Sequence, residues 1–295
     1  MDSQLEQLTM EILDPMGMES LSHFPNLILV VLTLLLMWVG KKVFDLLTPF
    51  NLEIQLVKED NKAITIAFVG YLAGVAIILE GALQGDSKNL IQSIIDVSAW
   101  GIIGILLLNL SGKLNDLIIL GAFSNREELL DKKNIAVGVV IAGSYLGSAM
   151  LIRSIILGES MGLLWDIGLT LCYFALAQGF FFLYSLLYRK SVRFDLLKEI
   201  QEGNIAAGIS LGMNLVAVGI LLAIPLRTSF SILLFIAWFV IGATAMAFFR
   251  FVMDRIIIPL EKLDEEIHKD QNWGVAFLEG SFSLAAVIII QATFS

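Results

Sequence analysis

Five ionisable residues sit inside stretches that are otherwise apolar: Glu80, Asp96, Arg153, Asp166 and Glu279. A charge among hydrocarbon side chains is unfavourable unless it finds a partner, so such residues mark either pathways or structural ion pairs. Glu80 and Arg153 each lie 19 residues past an asparagine, Asn61 and Asn134, a rise of about 28 Å along a helix. They hold the same position in two similar segments and carry opposite charge. Asp96 and Asp166 each stand 38 residues before an asparagine, Asn134 and Asn204. These four read in two ways. One is an outward-facing vestibule that attracts a cation, a polyamine or a proton. The other is a set of interfacial side chains with one ion pair. Glu279 is seven residues past Asn272, where the three matching segments carry Phe68, Ile141 and Leu211. A carboxylate against three apolar equivalents is a protonatable site, or a neutral acid hydrogen-bonded to Ser281, Ser283 or another neighbour. Burial would raise its pKa. Together the five form a candidate transport or ion site.

Other chemistry is thin. Cys172 is the only cysteine, which excludes an intramolecular disulfide and argues against structural zinc. His23 and His268 lie in separate polar flanks, so no metal centre is expected. There is no nucleophile elbow, P-loop, dinucleotide fingerprint or zinc-protease helix. The expectation is a chain that is not an enzyme and has no cofactor. Asn109, Gln178 and Asn214 lie mid-span and read as interhelical hydrogen-bonding groups.

The elements that must hold these residues follow from composition. The chain is 57% hydrophobic and 16% charged, with a mean hydropathy of +0.84. A soluble domain carries about a quarter charged residues. The solvent that accepts this surface is a lipid bilayer, and no nucleic-acid partner is implied. A hydrocarbon core about 30 Å thick takes about 20 helical residues. Eight segments fit: 24–47, 61–84, 89–112, 134–157, 161–188, 204–224, 229–258 and 273–292. The fold class is all-α, a polytopic membrane helical bundle of eight transmembrane helices in four two-helix repeats. Residues 1–23 contain five acids and no Lys or Arg, unlike a secretory signal, and read as a retained acidic tail.

Of the 19 basic residues, only Lys88, Arg153 and Arg227 fall outside the stretches joining spans 1–2, 3–4, 5–6 and 7–8. Positive charge stays inside. The linkers should face the cytoplasm of a cell with this protein in its inner membrane, and both termini should face away. The linkers mix charge with apolar residues and read as short amphipathic helices on the membrane surface.

Asn61, Asn134, Asn204 and Asn272 recur at intervals of 73, 70 and 68 residues, each at the start of a span. An asparagine there caps a helix. Small residues follow, such as Ala63, Ala136, Gly138, Ala206, Gly208, Gly274 and Ala276, and allow close helix approach. Ala99-Trp100-x-x-x-Gly104 returns as Ala237-Trp238-x-x-x-Gly242. The pattern argues for duplication of a unit of two helices and a linker. The units share one orientation. The organisation is a tail at 1–23 and two four-helix halves, 24–157 and 161–292.

The stretches "TPFNLEIQLVKEDNKA" (48–63), "DVSAWG" (96–101) and "NIAVG" (134–138) resemble the domain-of-unknown-function 350 family. Residues 24–157 resemble one copy of that four-helix unit, and 161–292 a diverged second copy. The second copy lacks the Thr-Pro and has Trp165-Asp166 in place of Asp-x-x-Ala-Trp. The resemblance implies a bacterial inner-membrane protein and no established activity. Two functions remain open: a small-solute or ion permease or channel using the intramembrane carboxylates, or a non-transporting scaffold or subunit that recruits a partner through its linkers. A homo-oligomer, or a cytoplasmic or membrane protein partner, is compatible with either.

Overall fold

In the computed structural model, residues 26–85, 89–157, 163–228 and 231–294 are described. All eight expected spans are helices. They are α1 (Leu27–Leu47), α2 (Lys62–Leu83), α3 (Leu90–Ile118), α5 (Ile135–Ile156), α6 (Leu163–Ser191), α8 (Ile205–Thr228), α9 (Ile232–Val252) and α11 (Trp273–Phe294). Three short helices lie in the linkers: α4 (Asn125–Leu130), α7 (Leu196–Gln201) and α10 (Leu263–His268). The first linker instead forms a π-helical turn at Ile54–Lys58, and a similar turn, Met253–Ile257, ends α9. The acidic tail, 1–23, and Lys88 lie outside the described residues.

The helices form two classes. The second helix of each pair, α2, α5, α8 and α11, packs on its counterpart in the next pair, so these four stand in a row. The first helices flank the row: α1 packs on α2 and α3, α3 on α2 and α5, α6 on α5 and α8, and α9 on α8 and α11. Burial follows the split. The apolar windows of α5 and α8 are 78% and 83% buried, against 17% and 22% for α1 and α9. The outer helices leave rows of large apolar side chains on the surface, including Val31, Leu34 and Leu35 on α1 and Leu233, Val240 and Ile241 on α9. Such faces suit hydrocarbon rather than water.

Glycine and alanine make the row possible. A Cβ at Gly138 would overlap the Ala63 backbone, one at Gly70 would overlap Ala142, and one at Gly143 would overlap Gly212. Gly219 and Gly147 meet in the same way. With no difference in hydrophobicity between lipid and a neighbouring helix, such close approach is what holds membrane helices together.

Candidate functional site

Glu279 lies in the second turn of α11 and is 1% exposed. Of the partners the sequence suggests for it, Ser281, Ser283 or another neighbour, it is neighbours on other helices that reach the carboxylate. It makes an ion pair with Arg250 Nη1 from the last turn of α9. It also accepts hydrogen bonds from Tyr188 Oη of α6 at 2.8 Å and from Ser210 Oγ of α8. Ser283 donates to Asn214 instead, at 2.9 Å. Arg250 continues outward, donating to Asp264 Oδ1 in α10 at 2.6 Å and to Tyr188 Oη at 3.1 Å. Its guanidinium lies 5.3 Å from the centre of the Tyr188 ring. Asn214 accepts from Tyr184 Oη at 3.0 Å and donates to the Ser210 carbonyl at 2.8 Å. A polar line therefore runs from the linker end into the helix row.

Arg250 also lines a recess of about 200 Å³ at the linker end, with Ser191, Arg193, Asp254, Lys262 and Asp264. Sequence reasoning counted Arg250 among the linker bases and missed its partnership with Glu279. Its signal was a lone arginine in the apolar run Ala247-Phe248-Phe249-Arg250-Phe251-Val252.

Glu80 and Arg153 meet at the opposite end of the row, in the last turns of α2 and α5. Arg153 Nε and Nη2 both reach the Glu80 carboxylate, and Nη2 also donates to Gln84 Oε1 at 3.2 Å. The arginine stem packs on Gly81. Asp96 accepts from Gln92, one turn back on α3, at 2.8 Å, and Asp166 lies in the first turn of α6. By register, Glu279 and Glu80 differ in depth by 12 residues, about 18 Å. The five candidates therefore do not form one site.

The linker end is built from a repeated relay. Each asparagine caps its helix, accepting through Oδ1 from Ile64 N, Ala136 N, Ala207 N or Val275 N at 3.0–3.2 Å. Each Nδ2 donates back to its own linker: Gln55, Glu128, Glu199 or Glu266. Three of them also donate to the next linker. Asn61 reaches the Leu129 carbonyl, Asn134 the Ile200 carbonyl and Asn204 the Ile267 carbonyl, at 2.8–2.9 Å. The residue before each asparagine is left-handed: Asp60 (φ 44°), Lys133 (φ 50°), Gly203 (φ 90°) and Gln271 (φ 48°). Further ties join neighbouring linkers, Lys133 to Glu59 and His268 to Glu199. Glu128 is buried in this edge. Burial pushes its carboxyl up, but the hydrogen bonds from Lys132 and Asn134 and the Lys132 charge outweigh it and hold the carboxyl below its ordinary value.

The family model described as Domain of Unknown Function (DUF350) matches residues 18–156 and again 162–294. The chain belongs to this family. The two matched regions of this DUF350 protein correspond to α1–α5 and α6–α11. A "UPF0719 transmembrane protein" of Aquifex aeolicus is 27% identical over 169 residues, which is 57% of this chain and 62% of that protein. The match thus spans less than two thirds of that relative's length. No solved structure matches. Eight long apolar helices and a transmembrane relative agree on an integral, multi-pass membrane protein in contact with lipid. Among the described residues, Glu261, Glu266 and Asp270 bring ligand oxygens within 4.8 Å of one another. Glu266 already accepts from Asn272, and Glu261 and Asp270 are exposed.

Proposed function

We propose that this protein is a non-catalytic scaffold of the bacterial inner membrane, with its linker edge in the cytoplasm and both termini outside, that recruits a protein partner through that edge. The observation that carries this is the asparagine relay. It ties four linkers into one edge, and a rigid edge is a better platform than four independent loops. The charges inside the spans support the same reading, because Glu80 is matched by Arg153 and Glu279 by Arg250. The test has two arms. Proteoliposomes loaded with pH- and cation-sensitive dyes should show no flux above empty vesicles. Capture from native membranes should return a reproducible partner, and that partner should be lost when exposed linker residues Arg126, Lys198 and Lys262 are all changed to Ala. Flux above background, or capture unchanged by the triple substitution, overturns the reading.

A second reading, a proton- or ion-conducting permease, draws on one specific feature. The polar line from the Arg250 recess through Glu279, Tyr188 and Asn214 is extended along α6 by two buried polar atoms, Ser185 Oγ and Gln178 Oε1, that have no hydrogen-bond partner among the described residues. This reading requires flux that Glu279→Gln abolishes.

A further inference from the structure

We infer that the open end of the helix row, α11 with α10, docks the first unit, α2 with the 54–58 turn, of a second copy of this chain. The junctions inside the chain define the mode. In the first two, the residue two past one asparagine meets the residue four past the next: Ala63 with Gly138, and Ala136 with Gly208. The ninth residue meets the eighth: Gly70 with Ala142, Gly143 with Gly212, and Met213 with Gly280. The thirteenth meets the fifteenth: Gly74 with Ala149, and Gly147 with Gly219.

On α11 the second, ninth and thirteenth positions are Gly274, Ser281 and Ala285, all small and all exposed. A Cβ at Gly274 would meet only Asn272 of its own helix end. On α2 the complementary positions are Thr65, Val69 and Ala76, of which Val69 is 59% exposed. These faces are the two halves of a fourth junction of the same kind.

The relay stops at the same place. Asn61, Asn134 and Asn204 are buried and each donates to a carbonyl of the following unit. Asn272 is partly exposed, and among the described residues its Nδ2 donates only to Glu266. The carbonyl that occupies the Leu129, Ile200 and Ile267 place in the first unit is that of Leu56. It receives no side-chain hydrogen bond among the described residues. In the second junction, Gln201 and Ile205 lie beside Lys132 and Asn134. Ile205 directly follows its asparagine, and the residue that directly follows Asn61 is Lys62, which is exposed. Lys132 corresponds to the acid Asp270 on the docking end. Across the fourth junction Lys62 would thus face Asp270, with the acids Glu59 and Asp60 beside it. Copies inserted in one orientation meet head to tail, and such contacts build a ring when the rotation closes and an open array when it does not.

The experiment is cysteine crosslinking in native membranes, in full-length chain carrying Cys172→Ser. Val69→Cys together with Ser281→Cys occupies the eighth- and ninth-position pair of the fourth junction. Mild oxidation should give disulfide-linked species at two and more chain masses from the double variant, and none from either single variant. Adding Ala285→Trp on the open face should abolish them while the chain stays folded, because that face is exposed. A double variant that remains a single chain overturns the inference. So does a two-chain disulfide-linked species from Ser281→Cys alone, which would mean a symmetric contact of α11 with itself. This goes beyond the scaffold reading and its readout involves neither flux nor partner capture, so the failure of one is distinguishable from the failure of the other.

Discussion

Glu279 and Glu80 are both glutamates facing arginines, yet their surroundings predict different consequences. Glu279 is 1% exposed and Arg250 13%, whereas the Glu80 side chain is 47% exposed. Removing one member of a buried pair strands the other, at about 3–5 kcal/mol. Glu279→Gln should therefore lower unfolding stability in detergent by about that much. Replacing both Glu279 and Arg250 with Leu should recover most of it, since the three matching positions are apolar already. Glu80→Gln should change stability by about 1 kcal/mol or less, the range of solvated pairs. Arg153→Gln should do more than Glu80→Gln, because its stem packs on Gly81. Equal losses for Glu279→Gln and Glu80→Gln in a thermal unfolding series would refute this ordering. The oddness of Glu279 was legible from the repeat, since three apolar residues share its register. Its partner was not, because nothing in an apolar run tells which neighbouring helix a lone arginine will face.

At the scale of the element, the four linkers end in one conformation through different residues. Spacing alone revealed the asparagine caps, because a cap is a local feature. The left-handed residue before each cap was hidden, because only Gly203 has the residue type that announces it; Asp60, Lys133 and Gln271 do not. Left-handed backbone disfavours a residue with a Cβ by about 1–2 kcal/mol. A Cβ at Gly203 meets nothing within 4 Å, so Gly203→Ala tests backbone conformation alone. It should destabilise the protein by about 1–2 kcal/mol, read by denaturant unfolding, and an unchanged midpoint would exclude conformational strain there.

The same linkers carry a pH dependence through Glu128. Its folded pKa lies below the ordinary 4.5, so its stabilisation is fully present above that value and is lost as pH falls through the folded value. Glu128→Gln should therefore be less stable than the parent at neutral pH, and the gap should close on acidification below about 4.5. A gap that stays constant with pH would mean that the carboxylate charge contributes nothing.

At the scale of the whole molecule, the eight spans were readable because span length and hydropathy are properties of each segment alone. The row of four inner helices was not, because apolar helices packed in other orders would show the same hydropathy. What selects the row is where a side chain is missing. Gly143 of α5 and Gly212 of α8 join the two family-matched regions, and a Cβ at Gly143 would overlap the Gly212 backbone. That contact cannot yield by moving a rotamer, so α5 and α8 must separate. The separation would propagate to the Gly147–Gly219 contact one turn on. Gly168 of α6 has nothing within 4 Å of an added Cβ, and it serves as the control in a helix of the outer class. Gly143→Val should lower stability by about 1–3 kcal/mol or more through overpacking. Gly168→Val should leave it nearly unchanged, since valine and glycine differ little in helix propensity on the scale of that clash. The measurement is the thermal midpoint of each variant in the same detergent. If the two variants fall equally, the glycine contacts are not what orders the row, and the continuation of that row into a second copy would lose its template.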